Sequence, residues 1–424
     1  MLCKPFFNMG ISKLQFPIID NFINLIPKEI PLSPEVFLSV ESTAPLSKDL
    51  PIKVGDKIKT GQKLVFYQNG DGIVSSVTGT IKELSTEIKS NSSSLTSLVI
   101  NTEPDEYDKS FPELLKNAKT DAETFFYLKN LPGSRSLSNI GSKISYCYAL
   151  IVDATEKEPH TITSQYVLAS GANELKEAIS LLGTLLKSHK TIITTFPYLK
   201  SLAAICNDDI KTIAPYYPDS LDEVIFKTLF EEKITEDSNA NIYFVGIEAV
   251  LAIARTLSQD KIQTDKLITV IDKKGTKFLI KTRIGTPVGW ICKELGISTE
   301  SKDLIAIGGP MRGIAIHCEN TPINKDTDSI FTQSEKDISW SSSVHCINCG
   351  DCVRACPANV PVNMLVRVLE NSIYEEAVRS FDLFSCIECG MCSYVCPAHI
   401  PILQYITLGK YEYNKVGAED NNHV

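Results

Sequence analysis

The chain has 424 residues and a formal net charge of −9, with 42 Lys and Arg against 51 Asp and Glu. At about 150 residues per domain, this length predicts roughly three domains, and the hydrophobic content of 43% is enough to form buried cores. The acidic balance disfavours a general nucleic-acid binder, which needs a basic face. Charged residues interrupt every long apolar stretch, so we expect neither a signal peptide nor a transmembrane helix.

Short apolar runs separated by glycine turns predict strands over residues 34–103. Two halves, 54–64 and 77–81, resemble the barrel-sandwich fold of lipoyl and biotinyl domains. Those carriers attach their cofactor to a lysine on the hairpin between the halves. Here residues 65–80 contain no lysine, and the turn is Asn69-Gly70-Asp71-Gly72. We therefore interpret this segment as a docking or packing module.

Apolar strand patterns alternate with helical ones between residues 145 and 262. This alternation predicts an α/β domain with a mostly parallel sheet. A predicted hairpin, a short helix and the run Gly308-Gly309-Pro310-Met311-Arg312-Gly313 follow and form another small unit. The polar residues 319–343 have the composition of a linker.

The cysteines are concentrated at the C-terminal end, where eight of 13 fall within residues 346–396. Residues 346–357 and 386–397 both read C-x2-C-x2-C-x3-C-P, the bacterial ferredoxin run for [4Fe–4S] clusters. In two-cluster ferredoxins the fourth cysteine of each run binds the other cluster. We therefore assign two ligand sets, the first being Cys346, Cys349, Cys352 and Cys396, and the second Cys386, Cys389, Cys392 and Cys356.

Zinc is the alternative metal for a cysteine cluster. Four-cysteine zinc sites usually show two separated C-x2-C pairs, whereas this chain has a duplicated array displaced by 40 residues. The pattern favours iron–sulfur clusters and a two-cluster, ferredoxin-like fold. The other five cysteines are interpreted as small apolar residues; they are Cys3, Cys147, Cys206, Cys292 and Cys318.

The order of these parts resembles the RnfC family, whose members belong to the Rnf ion-translocating electron-transport complex. The motifs that carry the resemblance are Gly285-Thr286-Pro287, the Gly-Gly-Pro-Met segment 308–311, Thr321-Pro322-Ile323-Asn324-Lys325 and the two cysteine runs. The resemblance implies an α/β domain similar to the flavoprotein of respiratory complex I and a β-grasp domain of the SLBB type. The expected domains are an N-terminal segment (1–33), the barrel-sandwich module (34–103), the α/β domain (104–262), the β-grasp domain (263–318), a linker (319–343), the ferredoxin-like domain (344–412) and a tail (413–424).

The family binds flavin and NADH with a glycine-rich loop before the first strand of the α/β domain. Glycines in such a loop let backbone N–H groups approach a phosphate. Residues 131–143 contain only two glycines here. The acidic residues Glu156 and Glu158 resemble the family's segment after that strand and are candidate FMN or NADH contacts, but Lys157 stands where the family has a cysteine. FMN is therefore a possible cofactor beside the two clusters.

Three functional hypotheses are open, of which the first two follow from the resemblance. In the first, a redox-driven translocase subunit relays electrons through two clusters between an NADH- or ferredoxin-linked donor and membrane subunits. In the second, a relay or scaffold protein without FMN and NADH receives electrons from another protein. The third is the iron–sulfur subunit of a soluble dehydrogenase. The first two imply integral-membrane and flavoprotein partners and a peripheral location on the cytoplasmic side of the inner membrane.

Overall fold

A computed structural model describes residues 14–19, 25–47, 50, 52–88, 93–117, 122–134, 147–230, 241–338, 341 and 344–421. These residues form several packed units of mixed α/β structure, as the sequence predicts. Within these ranges, no helix combines the length and the apolar character that crossing a membrane requires.

The N-terminal strands form a small β module. Two short strands, β1 (Leu14–Gln15) and β2 (Lys28–Glu29), precede it. The module itself contains β3 (Glu35–Ser42), β4 (Lys57–Ile58), β5 (Lys63–Val65), β6 (Gly72–Val74), β7 (Gly79–Ile88) and β8 (Ser94–Thr102). One antiparallel sheet has the order β3-β8-β7-β4, and β5 pairs with β6 around the predicted turn. Val36 and Leu38 alternate with less buried neighbours along β3, as a strand with one buried face requires.

The central domain is built on a parallel sheet. Its elements are α1 (Ser110–Lys116), α2 (Ala122–Lys129), β9 (Cys147–Asp153), α3 (Thr163–Leu185), β10 (Ser188–Thr195), α4 (Lys200–Cys206), β11 (Ile210–Thr212), β12 (Tyr216–Tyr217), α5 (Asp222–Phe230), β13 (Asn241–Gly246) and α6 (Ile247–Gln259). The strand order is β11-β10-β9-β13, and every pair is parallel. Strand β9 is apolar and almost wholly buried, as expected for a strand covered on both faces. The chain leaves β9 toward β10 and later returns on its other side as β13, so the strand order reverses between β9 and β13.

A six-stranded sheet follows the α/β domain. Its own elements are β14 (Asp265–Ile271), β15 (Lys277–Arg283), α7 (Val288–Leu295), β16 (Leu304–Ile307), β17 (Ile314–Ile316) and β18 (Ser329–Gln333). The order is β17-β16-β18-β14-β15-β2.

Two boundaries predicted from the sequence differ from this arrangement. Strand β18 lies inside the expected linker 319–343, yet it pairs with both β14 and β16 in the middle of the sheet. Ser329, Ile330 and Thr332 are buried there. The polar composition of the flanking residues therefore gave no sign of this short strand. The expected separate segment 1–33 contributes β1, which pairs with β12, and β2, which adds an edge to the six-stranded sheet.

The cysteine-rich end is helical. It contains α8 (Asp351–Ala355), α9 (Val362–Glu370), α10 (Tyr374–Phe381), α11 (Met391–Tyr394) and α12 (Ile402–Asn421). Helices α8 and α11 begin after Gly350 and Gly390, both with positive φ, at equivalent places in the repeat. Helices α9 and α10 connect the two cysteine runs, and α12 extends through most of the expected tail 413–424.

Candidate functional site

The first cysteine run and one cysteine of the second line a common cavity. Cys346, Cys349 and Cys352 lie on the loop before α8 and in its first turn, and Cys396 joins them from the other half. The remaining lining is mainly apolar, formed by residues such as Ile347, Val366, Pro397, Ala398, Ile400 and Ile402. The structure therefore brings together the four residues of the first expected ligand set.

The cysteines of the second run have Cys356 of the first run as a neighbour. The thiols that act electrostatically on Cys392 are Cys389, Cys386 and Cys356, the last of which comes from the first run. Cys356 is likewise an electrostatic neighbour of Cys386 and Cys389. The Glu388 backbone N–H donates to the Cys386 sulfur over 3.4 Å. Hydrogen bonds of this kind to cluster sulfurs are one determinant of reduction potential.

The two cysteine loops differ in their surroundings. Cys349 is exposed, whereas Cys389 and Cys392 are each only 7% exposed. The second loop packs against aromatic residues of the α/β domain, and the Tyr217 hydroxyl donates to the Cys389 backbone carbonyl. Burial raises the pKa of the Cys389 thiol to about 11, so a metal that binds this sulfur must displace a proton.

The cysteine geometry differs from that of a single-metal site. Among the described residues, no three His, Cys, Asp or Glu side chains converge closely enough to hold one metal ion. In a [4Fe–4S] cluster each thiolate binds a different iron. Four cysteines spread around the walls of one cavity are an arrangement that this chemistry can use.

The predicted flavin contacts have structural partners. Glu156 is 2% exposed, and its carboxylate accepts the Gln165 backbone N–H at the start of α3 over 3.0 Å. Glu158 is also 2% exposed and accepts hydrogen bonds from the Met311 backbone N–H at 3.0 Å and Arg312 Nε at 3.1 Å. Both carboxylates therefore bind groups of this chain.

Burial is the main influence on the pKa of each of these two carboxyl groups. It raises the pKa of Glu156 to about 7, against the hydrogen bond from Gln165. It also raises the pKa of Glu158 to about 7, although Arg312 opposes the shift. Gly309 permits the second contact, because a Cβ atom there would lie 2.6 Å from Glu158 Cγ. The Gly-Gly-Pro-Met segment thus brings the six-stranded sheet against the α/β domain.

In the described part of the expected phosphate loop, two backbone N–H groups donate hydrogen bonds to carbonyl groups of the chain. The Gly133 N–H donates to the Lys325 carbonyl at 2.7 Å, and the Ser134 N–H donates to the Leu131 carbonyl at 3.2 Å. Residues 135–143 of this loop lie outside the described residues. An FMN phosphate needs such N–H groups turned toward it, so the described amides do not fit the cofactor.

Tyr217 and Arg312 contact the site although no local sequence pattern identifies their partners. Tyr217 ends a two-residue strand, and nothing in its sequence context points to the distant Cys389. Arg312 stands in a motif that the sequence does identify, but its partner Glu158 lies 154 positions away.

Known proteins resemble both the cysteine-rich end and the chain as a whole. A family model described as a 4Fe-4S dicluster domain matches residues 345–400. Proteins named as the RnfC-type component of the ion-translocating oxidoreductase complex match most of the chain. The relative from Yersinia pestis bv. Antiqua (strain Antiqua) is 26% identical over 93% of this chain and 67% of its own length. The relative from Serratia proteamaculans (strain 568) is 26% identical over 97% of this chain and 60% of its own length.

These relatives are longer than the chain, which spans about 60 to 67% of the full-length matches from Yersinia and Serratia. Among solved structures, an NAD+-reducing [NiFe]-hydrogenase in the H2-reduced state overlaps 71% of this chain and 63% of its own. Its TM-score is 0.42 and its sequence identity 12%, values that do not establish a shared fold.

Proposed function

We propose that this chain, a homologue of the RnfC proteins of ion-translocating oxidoreductase complexes, is an electron-relay subunit of an Rnf-type complex. In this proposal two [4Fe–4S] clusters carry the electrons. Cys346, Cys349, Cys352 and Cys396 bind one cluster, and Cys386, Cys389, Cys392 and Cys356 bind the other. The observation that carries the proposal is the cavity shared by Cys396 and the three cysteines of the opposite run.

The crossed arrangement suits electron relay. Each cluster takes three thiolates from its own loop and one from the other half, so the protein holds the two clusters beside each other. Each cluster gains or loses one electron at a time. Electron transfer at the cysteines therefore requires no proton transfer and no covalent bond to be made or broken.

The proposed setting is the periphery of a membrane complex on its cytoplasmic side. The names of the relatives support a multisubunit complex, and integral-membrane and flavoprotein subunits are the proposed partners. An NADH- or ferredoxin-linked donor would supply the electrons. The second hypothesis, a relay that receives single electrons from another protein, is favoured by the internal bonding of Glu156, Glu158 and Gly133. No step of this relay requires FMN bound to the chain.

The test is anaerobic purification followed by metal analysis and electron paramagnetic resonance. We expect about eight irons per chain and, after dithionite reduction, the signals of two interacting [4Fe–4S]+ clusters. Stoichiometric zinc with iron near zero would contradict the proposal. Whether the chain is a peripheral subunit is tested by its co-purification with membrane subunits. We expect the chain to stay with them in mild detergent and to be released by a high-salt wash.

A further inference from the structure

The carboxyl end of the parallel sheet contains a cavity at the point where the strand order reverses. Residues Asp153, Thr155 and Lys157 approach it from the end of β9, and residues 244–248 approach it from β13 and α6. In open α/β sheets this reversal point is where nucleotide cofactors bind. The cavity is therefore the position at which a flavin or nicotinamide nucleotide would be expected.

Lys157 is held inside this position by three oxygen acceptors. Its ammonium group forms an ion pair with the Asp153 carboxylate, contacts the Asp222 carboxylate at 2.6 Å and donates to the Ser220 backbone carbonyl at 2.6 Å. Its side chain is 18% exposed and that of Asp153 is 3% exposed. Burial alone would lower the pKa of Lys157, but Asp153 and Asp222 outweigh it and the pKa is raised. The lysine is thus a charged group with its hydrogen-bonding capacity used by the protein.

Asp153 is fixed equally well. Its other carboxylate oxygen accepts the Thr155 N–H at 3.0 Å and the hydroxyls of Thr155 and Thr194 at 2.7 and 2.9 Å. Asp222 lies in the first turn of α5. The Lys157 contacts therefore connect the end of β9 to the start of α5 across the cavity.

The cationic groups that line the cavity, Lys157 and Arg312, are already paired with carboxylates of the chain. Of the described lining residues, six carry carboxylates and two carry cationic groups; the carboxylates are Asp153, Asp222, Glu223, Glu248, Asp326 and Asp328, and the cations are Lys157 and Arg312. Glu248 lies in the first turn of α6, where a bound phosphate would need to approach. Lys266 forms ion pairs with Glu248 and Asp328, and Lys325 forms one with Asp326. An anionic phosphate placed there would have to compete with carboxylates that already hold Lys157 and Arg312.

The size of the cavity also argues against a bound nucleotide cofactor. Its volume is about 130 Å³, whereas pockets for cofactor-sized ligands span roughly 300–1,000 Å³. Gly133, at the described end of the expected phosphate loop, has its N–H bonded to the Lys325 carbonyl.

We infer that Lys157 is a tethered cation that occupies the cofactor position of this sheet and closes it to FMN and NADH. This inference rests on the proposed relay function and restricts its donor. With no two-electron carrier bound to this chain, the clusters exchange single electrons with a redox protein. Each transfer then oxidises a partner centre by one electron and reduces one cluster by one.

The first experiment uses the full chain with its clusters assembled. FMN and NADH are titrated up to about 100 µM, with flavin fluorescence and equilibrium dialysis as the measurements. We expect no saturable binding and no cluster reduction by NADH, whereas dithionite reduces the clusters. One FMN bound per chain with a Kd below about 10 µM would overturn the inference. Iron analysis of the same sample separates the two ideas, because missing clusters would contradict the relay while clusters with stoichiometric FMN would contradict only the closure.

The second experiment tests the tethered cation directly. Lys157→Ala leaves two carboxylates without their counter-ion, and we expect the thermal midpoint to fall by about 5–15 °C. Methylammonium at about 100 mM should restore part of this loss, because it can donate to the same acceptors. Tetramethylammonium at the same concentration, which has no N–H group, should not.

Lys176→Ala is the matched control, because Lys176 is exposed on α3; its midpoint should change by less than about 2 °C. Should Lys157→Ala not fold, Asp222→Asn removes one of the two negative charges beside Lys157 while keeping an acceptor oxygen and the lysine, and we expect a smaller loss of midpoint. The inference is overturned if Lys157→Ala matches the Lys176→Ala control, if methylammonium and tetramethylammonium act alike on it, or if Asp222→Asn leaves the midpoint unchanged.

Discussion

Replacing Glu156 by Gln is expected to stabilise the folded chain at and above neutral pH. Glu156 is 2% exposed, and Gln165 supplies a hydrogen bond to its carboxylate. The electrostatic effect of Asp328 raises the pKa further rather than lowering it. A glutamine keeps the acceptor oxygen for Gln165 and removes the buried charge.

The magnitude follows from the pKa. Burial moves the Glu156 pKa from 4.5 to about 7. Because the folded chain then binds more protons than the unfolded chain between these two values, the stability contribution of this group is complete below pH 4.5. It is lost as the pH rises toward about 7. At about 1.4 kcal/mol per unit, the charged form costs about 3 kcal/mol near pH 8, and Glu156→Gln should recover most of that amount.

The assay is urea unfolding followed by circular dichroism under anaerobic conditions at pH 6 and pH 8. The wild type should lose stability between these values, and the variant should lose less. Glu158→Gln is the comparison, because its pKa is also raised to about 7 by burial but Arg312 is its ion-pair partner. That variant leaves a buried guanidinium without its carboxylate and should gain little or lose stability. A Glu156→Gln variant that is less stable than wild type at pH 8, with an unchanged pH dependence, would show that the buried charge of Glu156 does not destabilise the folded chain.

Two further pairs of variants test the cluster region. Cys356→Ser should damage the cluster bound by the second loop, and Cys396→Ser the cluster bound by the first. Loss of the same-loop cluster in each variant, seen by electron paramagnetic resonance, would mean that the ligands are not crossed. Gly350→Ala should cost about 1 kcal/mol, because its φ is +76° and its Cβ meets only a flexible arginine end. Gly390→Ala has φ +74°, and its Cβ would lie 2.6 Å from the Met311 carbonyl oxygen, so it should cost at least about 2 kcal/mol in urea unfolding. Equal losses for the two alanine variants would contradict the close contact.

Local patterns were sufficient to predict the α/β domain. Strand β9 is a continuous apolar run, and α3 carries apolar residues at helical spacing. The spacing of the apolar residues and the length of each run therefore predict whether a segment is a strand or a helix. The cysteine runs are equally local, because the spacing within each loop brings three thiols to one side of one cluster. The resemblance to the RnfC proteins of ion-translocating complexes, stated from these motifs and their order, is confirmed by the relatives.

Long-range pairing could not be predicted in the same way. Strand β18 has five residues between polar turns, and it becomes a central strand only because β14 and β16 lie on its two sides. Strand β2 has two exposed residues and joins β15, which lies far away in the sequence. The burial of Glu156 and Glu158 has the same origin, since a sequence shows their charge but not what covers them.

The arrangement of the two cysteine loops gives the central domain a structural part in the proposed relay. The second loop is fixed by the Tyr217 hydroxyl and by the carbonyl of Met311, which lies against Gly390. Cys396, which lines the cavity of the first loop, comes two residues after α11, the short helix that continues this fixed loop. Any displacement of the second loop would therefore move one wall of the first cavity. Cys349 and Cys389 occupy equivalent places in the repeat, and because Cys349 is exposed while Cys389 is buried, the first loop comes closer to solvent at this position than the second.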